Sequence, residues 1–120
     1  MQDAFTLMQT EIAQAQRLTQ QSELIKAEAI YHQILEQLQN YPPALYGLAE
    51  LADKIDEQEV REDLLDRAIA EIKNTTDKNQ KALLAIWLTE KAEALMKLGR
   101  QNDARKCIAE SELMIKQNLA

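Results

Sequence analysis

Apolar residues recur at intervals of three and four along nearly the whole chain, the spacing that marks one face of an α-helix. Six helices are predicted, most of them ended by a breaker or opened by a capping residue. The first, over 3–19, sets Phe5, Met8, Ile12, Ala15 and Leu18 on one stripe. Ser22 is read as the N-cap of the second, over 23–39, whose broad apolar face carries Leu24, Ala27, Ile30, Tyr31, Ile34, Leu35 and Leu38. Asn40-Tyr41-Pro42-Pro43 ends it, because Pro42 drives Tyr41 out of the α region. Pro43 suits the first turn of the third helix, over 43–54, with Leu45, Leu48, Ala49 and Ala52 as its stripe. Asp56 and Glu59 have the spacing of a capping box. They open a fourth helix over 57–73, with Val60, Leu64, Leu65, Ala68, Ile69 and Ile72 inward. Asp77 and Gln80 repeat that pairing before the fifth, over 78–98, which carries Leu84, Trp87, Leu88, Ala92, Leu95 and Leu98. Gly99 stands where a left-handed C-cap glycine belongs. The sixth, over 102–118, aligns Ala104, Cys107, Ile108, Ser111, Met114 and Ile115. Links this short make neighbouring helices antiparallel, so the expected architecture is three helical hairpins.

Composition narrows the possibilities further. A chain of 120 residues is expected to form one domain, 1–120. Two glycines and two prolines are too few for the turns of a β-sandwich or barrel. Gly47 and Gly99 are too far apart for a phosphate-binding loop. One histidine and one cysteine exclude a His/Cys zinc site and an internal disulfide, so no metal and no cofactor is expected. The net charge of −6 argues against nucleic acid and anionic lipid as partners. That charge is uneven. Residues 1–40 carry two basic and five acidic side chains (−3), residues 41–76 four and nine (−5), and residues 77–120 eight and six (+2). The longest apolar run, Leu83 to Leu88, is far short of a membrane span. The first residues lack the basic start and apolar core of a signal peptide. With a single unpaired cysteine, a reducing, cytoplasmic setting is the expectation.

The chain also repeats itself. At an offset of 34, Ala15 falls on Ala49, Leu18 on Ala52, Ala27 on Arg61, Tyr31 on Leu65, Ile34 on Ala68 and Leu35 on Ile69. A further offset of 43 carries Ala49 to Ala92, Ala52 to Leu95, Leu65 to Ile108 and Ala68 to Ser111. Thirty-four is a known period of helical-hairpin arrays. Ala27-x-x-x-Tyr31 with Ile34, Leu35 and Pro42 resembles the second helix of a tetratricopeptide repeat (TPR) unit. Leu45-x-x-Leu48-Ala49 resembles the first helix of the next. Ala92-x-x-Leu95 followed by Leu98-Gly99-Arg100-Gln101-Asn102-Asp103-Ala104-x-x-x-Ile108 is similar to the helix–turn–helix core. The resemblance covers three degenerate units, over 3–40, 42–74 and 77–118. Arg61 departs from it where the family has a small residue, and Lys91 where it has an apolar one. The first unit lacks a large apolar residue at its start, and the third begins nine residues late. The resemblance implies an all-α, right-handed stack of about three antiparallel hairpins, a TPR-like α-solenoid. A compact six-helix bundle is the alternative.

Candidate chemistry is sparse. His32 and Glu36 share a helix face but lack a third ligand, and read as a surface pair. Cys107 lies on an apolar stripe, where a free thiol behaves as a small hydrophobe. The carboxylate pairs Glu50/Asp53, Glu62/Asp66 and Glu90/Glu93 sit among polar neighbours and read as solvated faces rather than general acids, which need a pocket. Trp87 reads as core, and Lys97, Arg100, Arg105 and Lys106 as a solvated basic rim. No catalytic residue is expected.

In a stacked array the first helix of every hairpin lines a concave face. Residues rotated off the packing stripes toward it are Gln9, Ile12 and Gln16 on the first helix. On the third they are Tyr46, Glu50, Asp53 and Lys54, and on the fifth Ile86, Thr89, Glu90, Glu93 and Lys97. The expected function is a non-enzymatic, adaptor- or co-chaperone-like module that binds a peptide or helix there, basic or amphipathic given Glu50, Asp53, Glu90 and Glu93. Some TPR co-chaperones grip a carboxylate tail with Lys, Asn and Arg, whereas Gln, Glu and Asp stand here. The alternative is a self-associating scaffold subunit that dimerises through its terminal helices, with Met114 and Leu119 at the contact.

Overall fold

A computed structural model describes residues 3–119, with side chains to Asn118. Its six helices are α1 (Ala4–Gln20), α2 (Leu24–Gln37), α3 (Pro42–Lys54), α4 (Gln58–Ile72), α5 (Lys78–Lys97) and α6 (Gln101–Leu119), with no strand among the described residues. Every predicted helix is present within about two residues of its expected ends, the scatter normal for helix termini. Each helix packs on the next, and α1 also packs on α3. The molecule measures 43 × 33 × 23 Å. Its radius of gyration of 14.8 Å slightly exceeds the roughly 13–14 Å of an evenly rounded domain of this length.

The three hairpin turns share one backbone conformation. Ser22, Asp56 and Gly99 all have positive φ, at 63°, 56° and 79°, and they stand 34 and 43 residues apart. In each turn the following residue donates its backbone N–H to a carbonyl five residues back. Glu23 reaches Leu18, Glu57 reaches Ala52 and Arg100 reaches Leu95, at 2.9, 2.8 and 2.8 Å. This is the bond that closes a helix through a left-handed residue. The turn conformation thus recurs at the same spacings as the offsets in the sequence.

Two cap assignments change as a result. Ser22 and Asp56 are not N-caps; they are the left-handed turn residues. Glu23 and Glu57 occupy the N-cap positions without a side-chain bond. Side-chain caps open α1 and α5, whereas α3 begins at Tyr41 without one and with prolines in its first turn. Asp3 accepts from Thr6 N at 2.7 Å, and Asp77 from Gln80 N at 3.0 Å.

Ala15, Ala49 and Ala92 are buried to 0%, 1% and 1% exposure, so the small residue at this register does permit close helix approach. Two clusters make the core. The larger joins α1 to α5 around Tyr31, Ile34, Leu45 and Leu65. The smaller joins α5 to α6 through Ala92, Leu95, Ala104 and Cys107. Phe5 and Val60, expected inward, are exposed. Phe5 lies in the first turn of α1, and Val60 on the flank of α4 that faces α3 only at its edge. Tyr31 lies so close to Gly47 that a β-carbon there would meet its ring at 2.2 Å. This contact locks α2 against α3.

Candidate functional site

Side chains from α1, α3 and α5 converge at Tyr46 and Trp87. Their rings stack with centroids 5.7 Å apart and planes inclined by 22°, a geometry that adds to simple burial. Trp87 is buried, as its place on the α5 stripe predicts. Around the pair opens a mostly apolar cavity of about 480 Å³, bounded by Gln16 of α1, Pro42 and Ile72, and Leu83 and Ile86 of α5. Three expected groove residues, Gln16, Tyr46 and Ile86, thus meet at one hollow. Beyond Ile86 a second hollow of about 520 Å³ runs between α5 and α6. It is lined by Ile86, Thr89 and Glu90 on one side and Ser111, Met114 and Ile115 on the other.

Below the Tyr46–Trp87 pair lies a charge cluster that sequence reasoning did not anticipate. Arg61 of α4 is only 3% exposed. Its guanidinium donates to Asp53 at 3.3 Å, Gln58 at 3.2 Å, Glu93 at 3.0 Å and Glu90 at 3.5 Å. Lys97 donates to Asp53 at 3.2 Å and forms an ion pair with Glu93 at 3.6 Å. The planar fork of arginine, with its five N–H donors, suits such multiple donation. Arg61 falls where the other hairpins have Ala27 and Ala104. The signal was present in the repeat register: a long cation at a small-residue position, eight residues after one carboxylate and about thirty before two more.

Glu50/Asp53 and Glu90/Glu93 are therefore not simply solvated faces. Asp53, Glu90 and Glu93 bridge α3, α4 and α5 through Arg61. Of the pair on α4, Asp66 binds Lys91 and Glu62 binds Arg100. The basic rim is likewise engaged at Lys97 and Arg100, which also pairs with Asp103 at 2.9 Å. Bonds from Gln58, Lys97 and Arg61 hold the Asp53 carboxyl below the usual range against a smaller opposing effect of burial. Glu50 behaves in the opposite way. Burial, then the nearby Glu90 carboxylate, raises its pKa, with Lys54 opposing. Burial and the Glu90 carboxylate beside it push the Tyr46 hydroxyl far up. Burial similarly raises Tyr31 to about 12.

The remaining expected groove residues stand apart from the two hollows. Ile12 packs against the main core. Gln9 and Lys54 are exposed and border neither hollow. His32 and Glu36 are both exposed on α2. Cys107 is buried and burial raises its thiol pKa, so it is a poor nucleophile at neutral pH. Leu119, expected at a dimer contact, lies outside the described side chains. Among the described residues no group of three or more His, Cys, Asp or Glu is placed to hold a metal ion. No described helix is long and apolar enough to cross a membrane. No protein-family model, curated protein or solved structure matches the chain.

Proposed function

We propose that this chain is a non-enzymatic protein–protein interaction module, a TPR-like right-handed stack of three hairpins that holds a peptide or helix on the face formed by α1, α3 and α5. The observation that carries the reading is the hollow at the Tyr46–Trp87 stack, where Gln16, Tyr46 and Ile86 from three first helices of hairpins meet. The common turn conformation at Ser22, Asp56 and Gly99 supports the stacked arrangement. An apolar hollow rimmed by a few polar groups binds by shape and desolvation. Buried Cys107 fits a reducing, cytoplasmic setting.

The chemistry of the face favours an amphipathic guest over a purely basic one. Arg61 and Lys97 already neutralise much of the charge on Asp53, Glu90 and Glu93. Glu50 remains without an ion pair among the described residues. Titration calorimetry with an amphipathic peptide tests this, in one version flanked by Lys/Arg and in another by Asp/Glu. The Lys/Arg version binds more tightly, and Leu83→Gln, which removes apolar contact, or Gln16→Lys, which adds repulsion, weakens it by roughly tenfold with the melting temperature unchanged. Tighter binding of the acidic version, or indifference to both substitutions, overturns the reading.

A second reading, a self-associating scaffold subunit, draws on Ile86, Leu113 and Ile115, all about half exposed on the last hairpin. Sedimentation across a range of concentrations separates the two: a strict monomer favours the binder, a tight dimer the scaffold.

A further inference from the structure

The hollow between α5 and α6 is a place in the repeat that the first two hairpins have filled. The first helix of the second hairpin, α3, lies on α1 and α2. The first helix of the third, α5, lies on α4 and reaches α3 through the Tyr46–Trp87 stack. Shifting by 43 residues carries the covered pair Tyr46 and Ile72 onto Thr89 and Ile115. Ile72 is 8% exposed beneath α5, whereas Ile115 is 49% exposed, with no helix over it among the described residues. Between them the floor is small: Ala82, Ala85 and Ser111. The Thr89 and Ser111 hydroxyls are already bonded to each other and to the Ala85 carbonyl. A floor of small, satisfied groups leaves room for large apolar side chains from above.

The first helix of another copy is a poor fit. Counted back through the repeat, the face with which α5 enters its groove, Trp87, Leu88, Lys91 and Ala94, corresponds to Ala44, Leu45, Leu48 and Leu51 of α3. The latter four are buried. In α1 the same register holds Thr10, Glu11, Gln14 and Arg17, a polar end cap. A head-to-tail copy would set these polar groups on Ala85, Met114 and Ile115.

The charge at the two ends of the hollow states what does fit. Lys78 and Lys81 stand at the start of α5, Lys81 on the rim. Among the described residues neither forms an ion pair. Two turns or more along α5 stands Glu90, on the rim; Arg61 pairs with its Oε1, while its second oxygen, Oε2, is buried without a hydrogen-bond partner among the described residues. We propose that the α5–α6 groove docks an amphipathic helix of a partner protein, parallel to α5, with an acidic first turn beside Lys78 and Lys81 and a basic last turn beside Glu90. Parallel placement continues the direction shared by α1, α3 and α5. It also matches the sign of the incoming helix's own dipole, which prefers acids at its start and bases at its end. The face at Tyr46 and Trp87 remains a separate surface.

A labelled, end-blocked peptide of about the length of α1 (17 residues) provides the test. It has Asp and Glu in the first turn, Leu and Trp at helical spacing and two Lys in the last turn. A twin has the charged turns exchanged. In fluorescence anisotropy the first peptide binds at least roughly tenfold more tightly than the twin. Ile115→Glu weakens it by a similar factor, and Lys81→Glu shifts the preference toward the twin. Leu83→Glu, at the other hollow, leaves the affinity unchanged, so failure here and failure of the peptide-binding face are read separately. Equal affinity for the twins, or no binding of either, overturns the proposal. So does a concentration-dependent dimer that Ile115→Glu dissolves, since a second copy then covers the groove.

Discussion

At the scale of single residues, two buried positions show how local preference yields to packing. Alanine is normally the better helix former than glycine by about 1 kcal/mol. At position 47 the added β-carbon would sit 2.2 Å from the ring of Tyr31, itself 1% exposed. Gly47→Ala is therefore expected to destabilise the protein by roughly 1–3 kcal/mol, measured by urea denaturation; a more stable variant would show that the ring moves freely. Glu50 carries a cost that depends on pH. Its folded pKa is raised by burial and by Glu90, so the ionised carboxylate is disfavoured in the folded state. That penalty is present above the folded pKa and is relieved as pH falls through it toward the ordinary carboxylate range. Glu50→Gln is expected to raise the melting temperature at pH 7, the gain vanishing near pH 4. A gain of equal size at both pH values would refute this origin.

At the scale of elements, the turns and the bridging arginine govern how helices meet. Serine at φ 63° bears a left-handed strain of about 1–2 kcal/mol, partly offset in any glycine replacement by the entropy glycine loses on folding. Ser22→Gly should stabilise by roughly 0.5–1 kcal/mol, and Gly99→Ala, with open space around its β-carbon, should lose about 1 kcal/mol from backbone strain alone. Opposite signs in thermal melts are the expected result. Arg61 ties α4 to α3 and α5 through Asp53, Glu90 and Glu93. Arg61→Ala removes the charge its three carboxylates share and opens a void. A loss of roughly 3 kcal/mol is expected, at the low end for broken buried pairs because the carboxylates keep contact with water. Adding Glu93→Gln to that variant should recover part of the loss. Strictly additive effects would mean that Glu93 and Arg61 are not coupled.

At the scale of the whole molecule, the core is unevenly distributed. The main cluster runs from Met8 to Leu88, and α1 to α5 each share it with two or more neighbours, whereas α6 packs on a single neighbour, α5, through Ala104, Cys107 and Ser111. A terminal helix covered from one side only leaves more of its backbone hydrogen bonds open to water and has a lower free energy of local opening. Amide exchange is expected to be slowest in α3 and α4 and markedly faster in α6, and equal protection in α3 and α6 would contradict this division. A last helix held by one neighbour, beside an uncovered groove, also suits an end that gains order when a partner docks, since ordering and binding are then coupled.

The helices were legible in the sequence because their signals are local. Three- and four-residue spacing, two prolines, the Asp77 cap and Gly99 each act over a few residues, and the structure places all six helices accordingly. The 34- and 43-residue offsets were legible for the same reason, since a recurring turn imposes a recurring pattern of small and large side chains. Composition could not reveal what depends on residues distant in the chain. Ser22 and Asp56 look like caps locally, but the close packing of each hairpin makes them left-handed turns. Glu90 and Glu93 look solvated until α4 brings Arg61 to them across about thirty positions of sequence. The Tyr46–Trp87 hollow and the open α5–α6 groove exist only because side chains of several helices meet there. A chain encodes its own helices in short-range spacing, whereas a surface between helices is set by which side chains arrive there together and which neighbour is missing.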